Sequence, residues 1–437
     1  MSHDLISSKT ATDVKQSSLI WSYIETLKDP YFVSKFQNFF GIHVIRKDER
    51  RPKQLTIDSV NQSNGYQRYG SHSNNLKKRN MKQELNGSDS ESYSTSATDN
   101  TSDEEPEQID YTIDNKFWYY LFSFGASLGY EMFYASFFPI WFWNIDSAVG
   151  RRLVLVWVII MYFGQALKDV IKWPRPESPP VVVLEPEYAV EYGMPSTHAM
   201  VGSALPFCLV IFTINRYEYP LWIGIVFAIL WCLLVCGSRL YLGMHSVIDI
   251  LAGLLLTALL MIIIIPLVDA IDHFHLTSLY SPLITIPLIV FLSTVYPKSD
   301  RWSPARGDTC IIMGSGAGIL LGSWLNYQLG IYKGPSLPPP FPILWPGYEV
   351  IGLSLLRLSI GILCIIAARA FGKVLVFSLL CYIRNLDPRD PKNKIRVSIE
   401  IPSKVITYMA MGLTITYLSP VVFRFLNIER VTMFTEI

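Results

Sequence analysis

The chain has 437 residues, half of them from the set AVILMFWYC and only 17% charged, against about 25% charged in a soluble domain. That composition excludes a string of soluble domains and points to a membrane protein. With 37 basic against 36 acidic residues, it also lacks the cationic excess that binds nucleic acid.

Residues 1–115 contain no run long enough to cross a bilayer and read as a polar tail. Within them Ile20, Ile24 and Leu27 recur at i, i+4, i+7. Asp29-Pro30 then supplies a cap and a first-turn proline, and Phe32, Phe36 and Phe39 continue the stripe. Residues 18–42 are therefore expected to form two short amphipathic helices, lying on the membrane interface or packing on the body. From Pro52 to Gln108 the composition is Ser, Asn, Gly and charge, too little apolar surface to fold alone, which predicts a disordered tail. Serines beside acids at Ser88-Asp89-Ser90-Glu91 would suit a phosphorylatable regulatory segment. Met1 to Lys15 is polar and not a signal peptide, so the first span is expected to target the protein.

From Phe117 onward, apolar runs approach or reach the roughly 20 residues a span needs. They cover 117–143, 150–168, 198–215, 219–237, 245–268, 279–296, 309–329, 347–368 and 404–425, with 370–384 a shorter addition. The expected fold of residues 116–437 is all-α, a polytopic membrane helix bundle of nine or ten spans. Trp and Tyr crowd the ends, as in Trp118-Tyr119-Tyr120 and Trp141-Phe142-Trp143, where an aromatic belt belongs. The loop 330–346 carries six prolines and cannot be helical, and 385–403 is charged. Glu131 and Arg357 fall within spans and are read as a buried ion pair joining two helices, with a substrate contact or a snorkelling geometry as the alternatives. The six cysteines sit in or beside apolar segments as packing residues, without disulfide or zinc spacing.

Between residues 168 and 249, ionisable groups interrupt the apolar pattern, and at membrane depth such groups read as a site. Lys168 closes the second span and Arg175 follows, a point charge and a planar fork suited to one anion. Pro195-Ser196-Thr197-His198 precedes the third span, placing a hydroxyl, amides and an imidazole at a helix N-terminus that favours an anion. Ser238-Arg239 is followed by His245 and, four residues on, Asp249. On a helix that spacing lets a carboxylate orient one imidazole nitrogen and leave the other free. An even number of crossings separates the patches at 168–176, 195–198 and 238–249, so all three share one membrane face. Three cations, a helix N-terminus and two histidines there converge on something small, tetrahedral and negative.

The order Lys168, Arg175-Pro176, Pro195-Ser196-x-His198, Ser238-Arg239, His245, Asp249 resembles the three-part signature of the type 2 phosphatidic acid phosphatase superfamily. Lys168 to Pro180, Tyr192 to Met200, Ser238 to Gly253, Trp143 to Arg152 and the stretch from Arg306 to Gly318 resemble its sphingosine-1-phosphate phosphatase branch. Thr197 stands where the wider superfamily has glycine, and the threonine is itself like that branch. The resemblance covers roughly residues 117–425 and leaves the tail unexplained. It implies metal-free hydrolysis of a sphingoid-base phosphate in the bilayer, with no cofactor. His245 would be the nucleophile, Asp249 its orienter and His198 the proton donor; Lys168, Arg175, Ser196, Thr197 and Arg239 would hold the phosphate oxygens.

The resemblance also implies an endoplasmic reticulum membrane with a lumenal site. Arg151-Arg152 and Arg216 on the opposite face agree with that by the positive-inside tendency. Two spans before Lys168 put the tail on the site's face, whereas its Ser/Asp/Glu-rich composition suits the cytosol: either the tail is lumenal, with Asn61, Asn86 and Asn100 as potential glycosylation acceptors, or 117–143 does not cross once. A phosphatase of the same mechanism acting on another lipid phosphate or a sugar phosphate, and a polytopic transporter, are the rival readings.

Overall fold

The computed structural model describes residues 22, 24–45, 110–300, 303–333, 338–343, 345–390, 392–430 and 432–436. The disordered tail expected from Pro52 to Gln108, its serine-acid run and the three Asn acceptors lie outside the described residues. The first described elements show where the chain begins its packing. Helix α1 (Pro30–Phe39) is capped by Asp29, whose carboxylate accepts from the Tyr31 amide at 2.8 Å. Of its two expected placements, it takes the one on the body. Gln37, buried, donates to the carbonyls of Val182 (2.7 Å) and Tyr241 (2.9 Å) and accepts from the Val182 amide (3.0 Å). Strand β1 (Ile42–Val44) then pairs antiparallel with β2 (Tyr111–Ile113), Val44 opposite Tyr111.

The first apolar run is broken. Helix α2 (Lys116–Ser127) ends at Leu128-Gly129-Tyr130, and α3 (Glu131–Ile140) continues into a π-turn, Trp141–Ile145. Phe122 of α2 stacks on Tyr241, whereas Phe142 lies against Gly150, so the broken segment leads from one end of the bundle to the other. The helices that follow are α4 (Ser147–Ile171), α5 (Thr197–Thr213), α6 (Leu221–Tyr241), α7 (Val247–Thr277), α8 (Ser281–Val295) and α9 (Ala305–Gln328). The expected runs 347–368 and 370–384 are one helix, α10 (Tyr348–Ile383), because no Gly-Pro pair or turn residue interrupts Ala367-Ala368-Arg369. At 1.5 Å per residue it extends about 54 Å, well beyond the ~30 Å hydrocarbon layer. The last span begins earlier than expected, as α11 (Val397–Leu413), and runs through a π-turn at Thr414–Leu418 into α12 (Ser419–Phe425).

Among the described residues, six helices are long and apolar enough to cross a membrane, and α5 and α8 are shorter apolar helices. The protein is thus a polytopic helical membrane protein; of the ten expected runs, the first is broken, 347–368 and 370–384 are fused, and α5 and α8 are the two shorter helices, which leaves six long ones. Helix α7 also continues to Thr277, which carries His273 and His275 to its last turns.

The two ends of the bundle are held differently. At one end Arg151 of α4 pairs with Asp272 of α7 (2.9 Å), and both are buried. Lys168 lies 17 residues further along α4, about 26 Å along its axis; Asp249 lies at the matching end of α7. The helices between are filled by Leu153, Val156, Ile160, Met200, Ala204 and Cys208. All six cysteines are free thiols.

Glu131 and Arg357 do not pair. Arg357 donates to the Ile428 carbonyl (2.6 Å) and the Asn144 amide oxygen (3.0 Å), and Glu131 accepts from the Tyr408 hydroxyl (3.1 Å). A carbonyl near a helix end, invisible in residue identities, satisfies the guanidinium instead.

Helices α9 and α11 cross with almost no space between them. A Cβ on Gly318 would sit 2.0 Å from the Met409 carbonyl oxygen, and one on Gly412 would sit 2.2 Å from that of Ser315. Small residues at this spacing are what lets membrane helices approach so closely. Gly318→Val is expected to destabilise the detergent-solubilised protein by about 3 kcal/mol, read as a lower Tm; an unchanged Tm would contradict the crossing.

Candidate active site

Every residue singled out between 168 and 249 stands at or beside a helix end, and all those ends are at the same end of the bundle. Lys168 is in the last turn of α4, Ser196 caps α5, Arg239 is in the last turn of α6 and Ser246 caps α7. The sequence builds each terminus locally. Ser196 accepts from the Ala199 amide (3.4 Å). Gly243 turns the chain after α6 at φ +69°, where a Cβ would sit 2.2 Å from the Val182 carbonyl oxygen. Ser246 and Asp249 form a reciprocal capping box, the Asp249 carboxylate accepting from the Ser246 amide at 2.8 Å. Two helix N-termini thus point their unpaired amides and positive dipole ends into one place.

Backbone bonds tie the three patches together. The Ser196 amide donates to the Asp249 carbonyl (3.1 Å), and the Gly193 amide donates to the Trp173 carbonyl (2.7 Å). Arg175 donates from Nε to the Glu191 carbonyl (2.9 Å) and from a terminal nitrogen to the Met244 carbonyl (2.6 Å), immediately before His245. Gly253 of α7 lies against Ser196, where a Cβ would meet the Ser196 carbonyl oxygen at 2.8 Å.

His245 and Asp249 are fully buried, with His245 Nδ1 3.8 Å from Asp249 Oδ2. That is an ion-pair distance and longer than a hydrogen bond. His245 Nδ1, Asp249 Oδ1 and His198 Nε2 are buried without a hydrogen-bond partner. Lys168, Arg175 and Arg239 all act electrostatically on both imidazoles. Burial, and then Arg175, Arg239 and Lys168, hold His245 well below its ordinary value of 6.5. It is therefore neutral at physiological pH, as a nucleophile must be. Burial likewise pushes Arg175 down to about 10, still charged at neutral pH.

Two residues that sequence reasoning missed complete the site. Glu191 pairs with Lys168 at 2.7 Å, both buried, and Glu185 accepts from Arg239 at 3.2 and 3.3 Å. Burial alone would raise the Glu191 carboxyl; Lys168 beside it, with Arg175 and Arg239, holds it below its ordinary value. Glu185, Glu187 and Glu191 lie in a loop between two apolar runs, where charge is ordinary, and nothing in their spacing marks two of them as partners of the cations. Tyr130 was missed as well: its hydroxyl donates to Glu185, its ring lies edge-on to His198 with centroids 5.6 Å apart, and it stacks on Tyr188.

Thr197 is placed differently from the other expected phosphate ligands. Its methyl faces Gly164 of α4, 3.1 Å from where a Cβ there would be. Its amide still opens α5.

The profile of the PAP2 superfamily matches residues 149–272, a stretch containing all three patches. Sphingosine-1-phosphate phosphatase 1 of Rattus norvegicus is 46% identical over 71% of this chain and 73% of the relative. Sphingosine-1-phosphate phosphatase 2 of Homo sapiens is 42% identical over 73% of this chain and 80% of the relative. A dihydrosphingosine 1-phosphate phosphatase of Saccharomyces cerevisiae is 24% identical over 70% of this chain and 80% of its own length. No solved structure matches the chain. The chain belongs to the sphingosine-1-phosphate phosphatase family.

Proposed function

We propose that this chain is a membrane lipid phosphatase that hydrolyses sphingosine 1-phosphate and related sphingoid-base phosphates to free base and phosphate through a phosphohistidine. The observation that carries the reading is the convergence of two imidazoles, each with a buried unpartnered nitrogen, on Lys168, Arg175 and Arg239 at one end of the bundle. The names of the relatives supply the substrate class.

In this mechanism the phosphoryl group is held by Lys168, Arg175, Arg239, Ser196 and the amides at the start of α5, including that of Thr197. These groups face the equatorial oxygens on which charge is spread in the transition state. His245 attacks phosphorus through Nε2 as the ester P–O bond breaks, and His198 gives its proton to the departing alkoxide. Asp249, beside Nδ1, stabilises the positive charge that His245 acquires. Water then gives a proton to His198 and attacks phosphorus, the N–P bond breaks, and phosphate leaves. Every positive charge in these steps comes from a side chain, so turnover is expected to be unaffected by EDTA.

The decisive experiment offers purified protein in detergent dihydrosphingosine 1-phosphate, phosphatidic acid and glucose 6-phosphate. The sphingoid-base phosphate is expected to be preferred at least tenfold in kcat/KM. Comparable rates on all three would overturn the substrate class.

We further propose an endoplasmic reticulum membrane with the site on the lumenal face. Arg151, Arg152 and Arg216 belong to the opposite end, where the positive-inside tendency favours the cytosol. Because α1 packs at the site's end of the bundle, through Gln37 on Tyr241, the N-terminal region is lumenal in the same assignment. Glycan removal is then expected to shift the protein on a gel unless Asn61, Asn86 and Asn100 have all been changed to Gln. Cleavage of the tail by protease added outside sealed microsomes would overturn this.

A further inference from the structure

We propose that Glu185 determines specificity by receiving the substrate's ammonium group, and that it does so because substrate phosphate displaces it from Arg239. The proposal rests on the sphingoid-base reading above. A sphingoid-base phosphate carries its ammonium on the carbon next to the one bearing the ester oxygen. Whatever binds that ammonium must therefore lie beside the group that protonates the leaving oxygen.

Glu185 lies there. Its Oε1 accepts from the Tyr130 hydroxyl, and the Tyr130 ring is edge-on to His198, the proton donor in the proposed mechanism. Its Oε2 accepts from both terminal nitrogens of Arg239, at 3.2 and 3.3 Å. Tyr188, stacked on Tyr130 with centroids 5.9 Å apart, completes the wall on that side. Glu191 engages the other two cations, its carboxylate on Lys168 and its carbonyl on Arg175. The two carboxylates therefore occupy different parts of the site.

Charge decides what each does when substrate enters. A phosphate monoester near neutral pH carries between one and two negative charges and competes with Glu185 for Arg239. The side chain of Glu185 is only 14% exposed, and a buried carboxylate that loses its partner is strongly destabilised. With a sphingoid-base phosphate, the ammonium arriving on the same molecule replaces the guanidinium as that partner. With phosphatidic acid or an N-acylated analogue nothing replaces it, and Glu185 instead repels the phosphate beside it. The same residue thus attracts one class and rejects the other, the two halves of a specificity device.

The test uses full-length protein in mixed micelles and two probes differing only at nitrogen, dihydrosphingosine 1-phosphate and its N-acetyl analogue, with phosphatidic acid as a third. Wild type is expected to prefer the free amine. Glu185→Gln, which keeps the side chain's shape and its acceptor, is expected to lose about 100-fold in kcat/KM on the amine and to hold or gain on the N-acetyl analogue. Glu185→Asp is expected to keep part of the preference, whereas Glu191→Gln should lower both probes alike. The ratio of the two probes within one preparation does not depend on how much enzyme is folded. If wild type does not discriminate between the amine and phosphatidic acid, the sphingoid-base reading itself fails. If it does discriminate and Glu185→Gln loses both probes equally, is inactive on both, or is unchanged, Glu185 serves Arg239 alone and this proposal is overturned.

Discussion

Replacing His245 with alanine is expected to lower turnover by on the order of 10⁵- to 10⁶-fold, the loss that follows when the nucleophile of a coupled catalytic unit is removed. The protein itself should survive. His245 Nδ1 makes no hydrogen bond, and its 3.8 Å approach to Asp249 is too long for one, so the truncation breaks no hydrogen bond at that atom. Asp249 keeps its place through the capping box with Ser246. Acid-labile, base-stable phosphate should be trapped on the wild-type protein by rapid quenching with ³²P-labelled substrate, and none on the variant, at equal expression and elution volume. Turnover within tenfold of wild type would remove His245 from the nucleophile's role.

A second large effect is expected from one added methyl group. A Cβ on Gly129 would sit 2.1 Å from Cδ2 of His198 and 2.7 Å from its Nε2, closer than non-bonded atoms approach. Gly129 lies in the break between α2 and α3, followed by Tyr130, whose ring meets the same imidazole. In Gly129→Ala the imidazole has to move by about an ångström, and a proton donor misplaced that far costs about 10²-fold. The loss should fall on kcat more than on KM, because the cations that hold the phosphate are untouched. It should also shrink for a substrate with a good leaving group, such as p-nitrophenyl phosphate, which needs no protonation. Equal losses on both substrates would show that the methyl disturbs more than the proton donor.

The three patches were legible because they are polar where their surroundings are apolar, and because crossing parity does not require knowing where any helix packs. Lys168, Arg175, Ser196, His198, Arg239, His245 and Asp249 are all found at one end of the bundle. The carboxylates that meet the cations were not legible. Glu185 and Glu191 sit in a loop where charge is ordinary, and only the fold brings them to Arg239 and Lys168. The Glu131–Arg357 pairing failed for a related reason: opposite charges in apolar runs suggest a partner, but a guanidinium is equally well satisfied by a backbone carbonyl and an amide, as Ile428 and Asn144 show. Segment boundaries followed composition where a turn residue marked them. They failed at Leu128-Gly129-Tyr130, where the chain breaks within an apolar run, and at Ala367-Ala368-Arg369, where the helix continues through a charged residue.

The pairing of β1 with β2 brings together the two points between which residues 46–109 run. Ile45 donates its amide to the Asp110 carbonyl at 2.8 Å, so the chain leaves the body and returns to it one hydrogen bond apart. Chain leaving and re-entering at one place does not bear on the geometry of what it leaves, which is why nature and engineers insert and remove segments at such places. A four-residue bridge from Ile45 to Asp110 would shorten the closure by roughly four halvings, which favours the pairing by about 2 kcal/mol. The body, with α1 still latched through Gln37, is then a smaller molecule that carries the whole site.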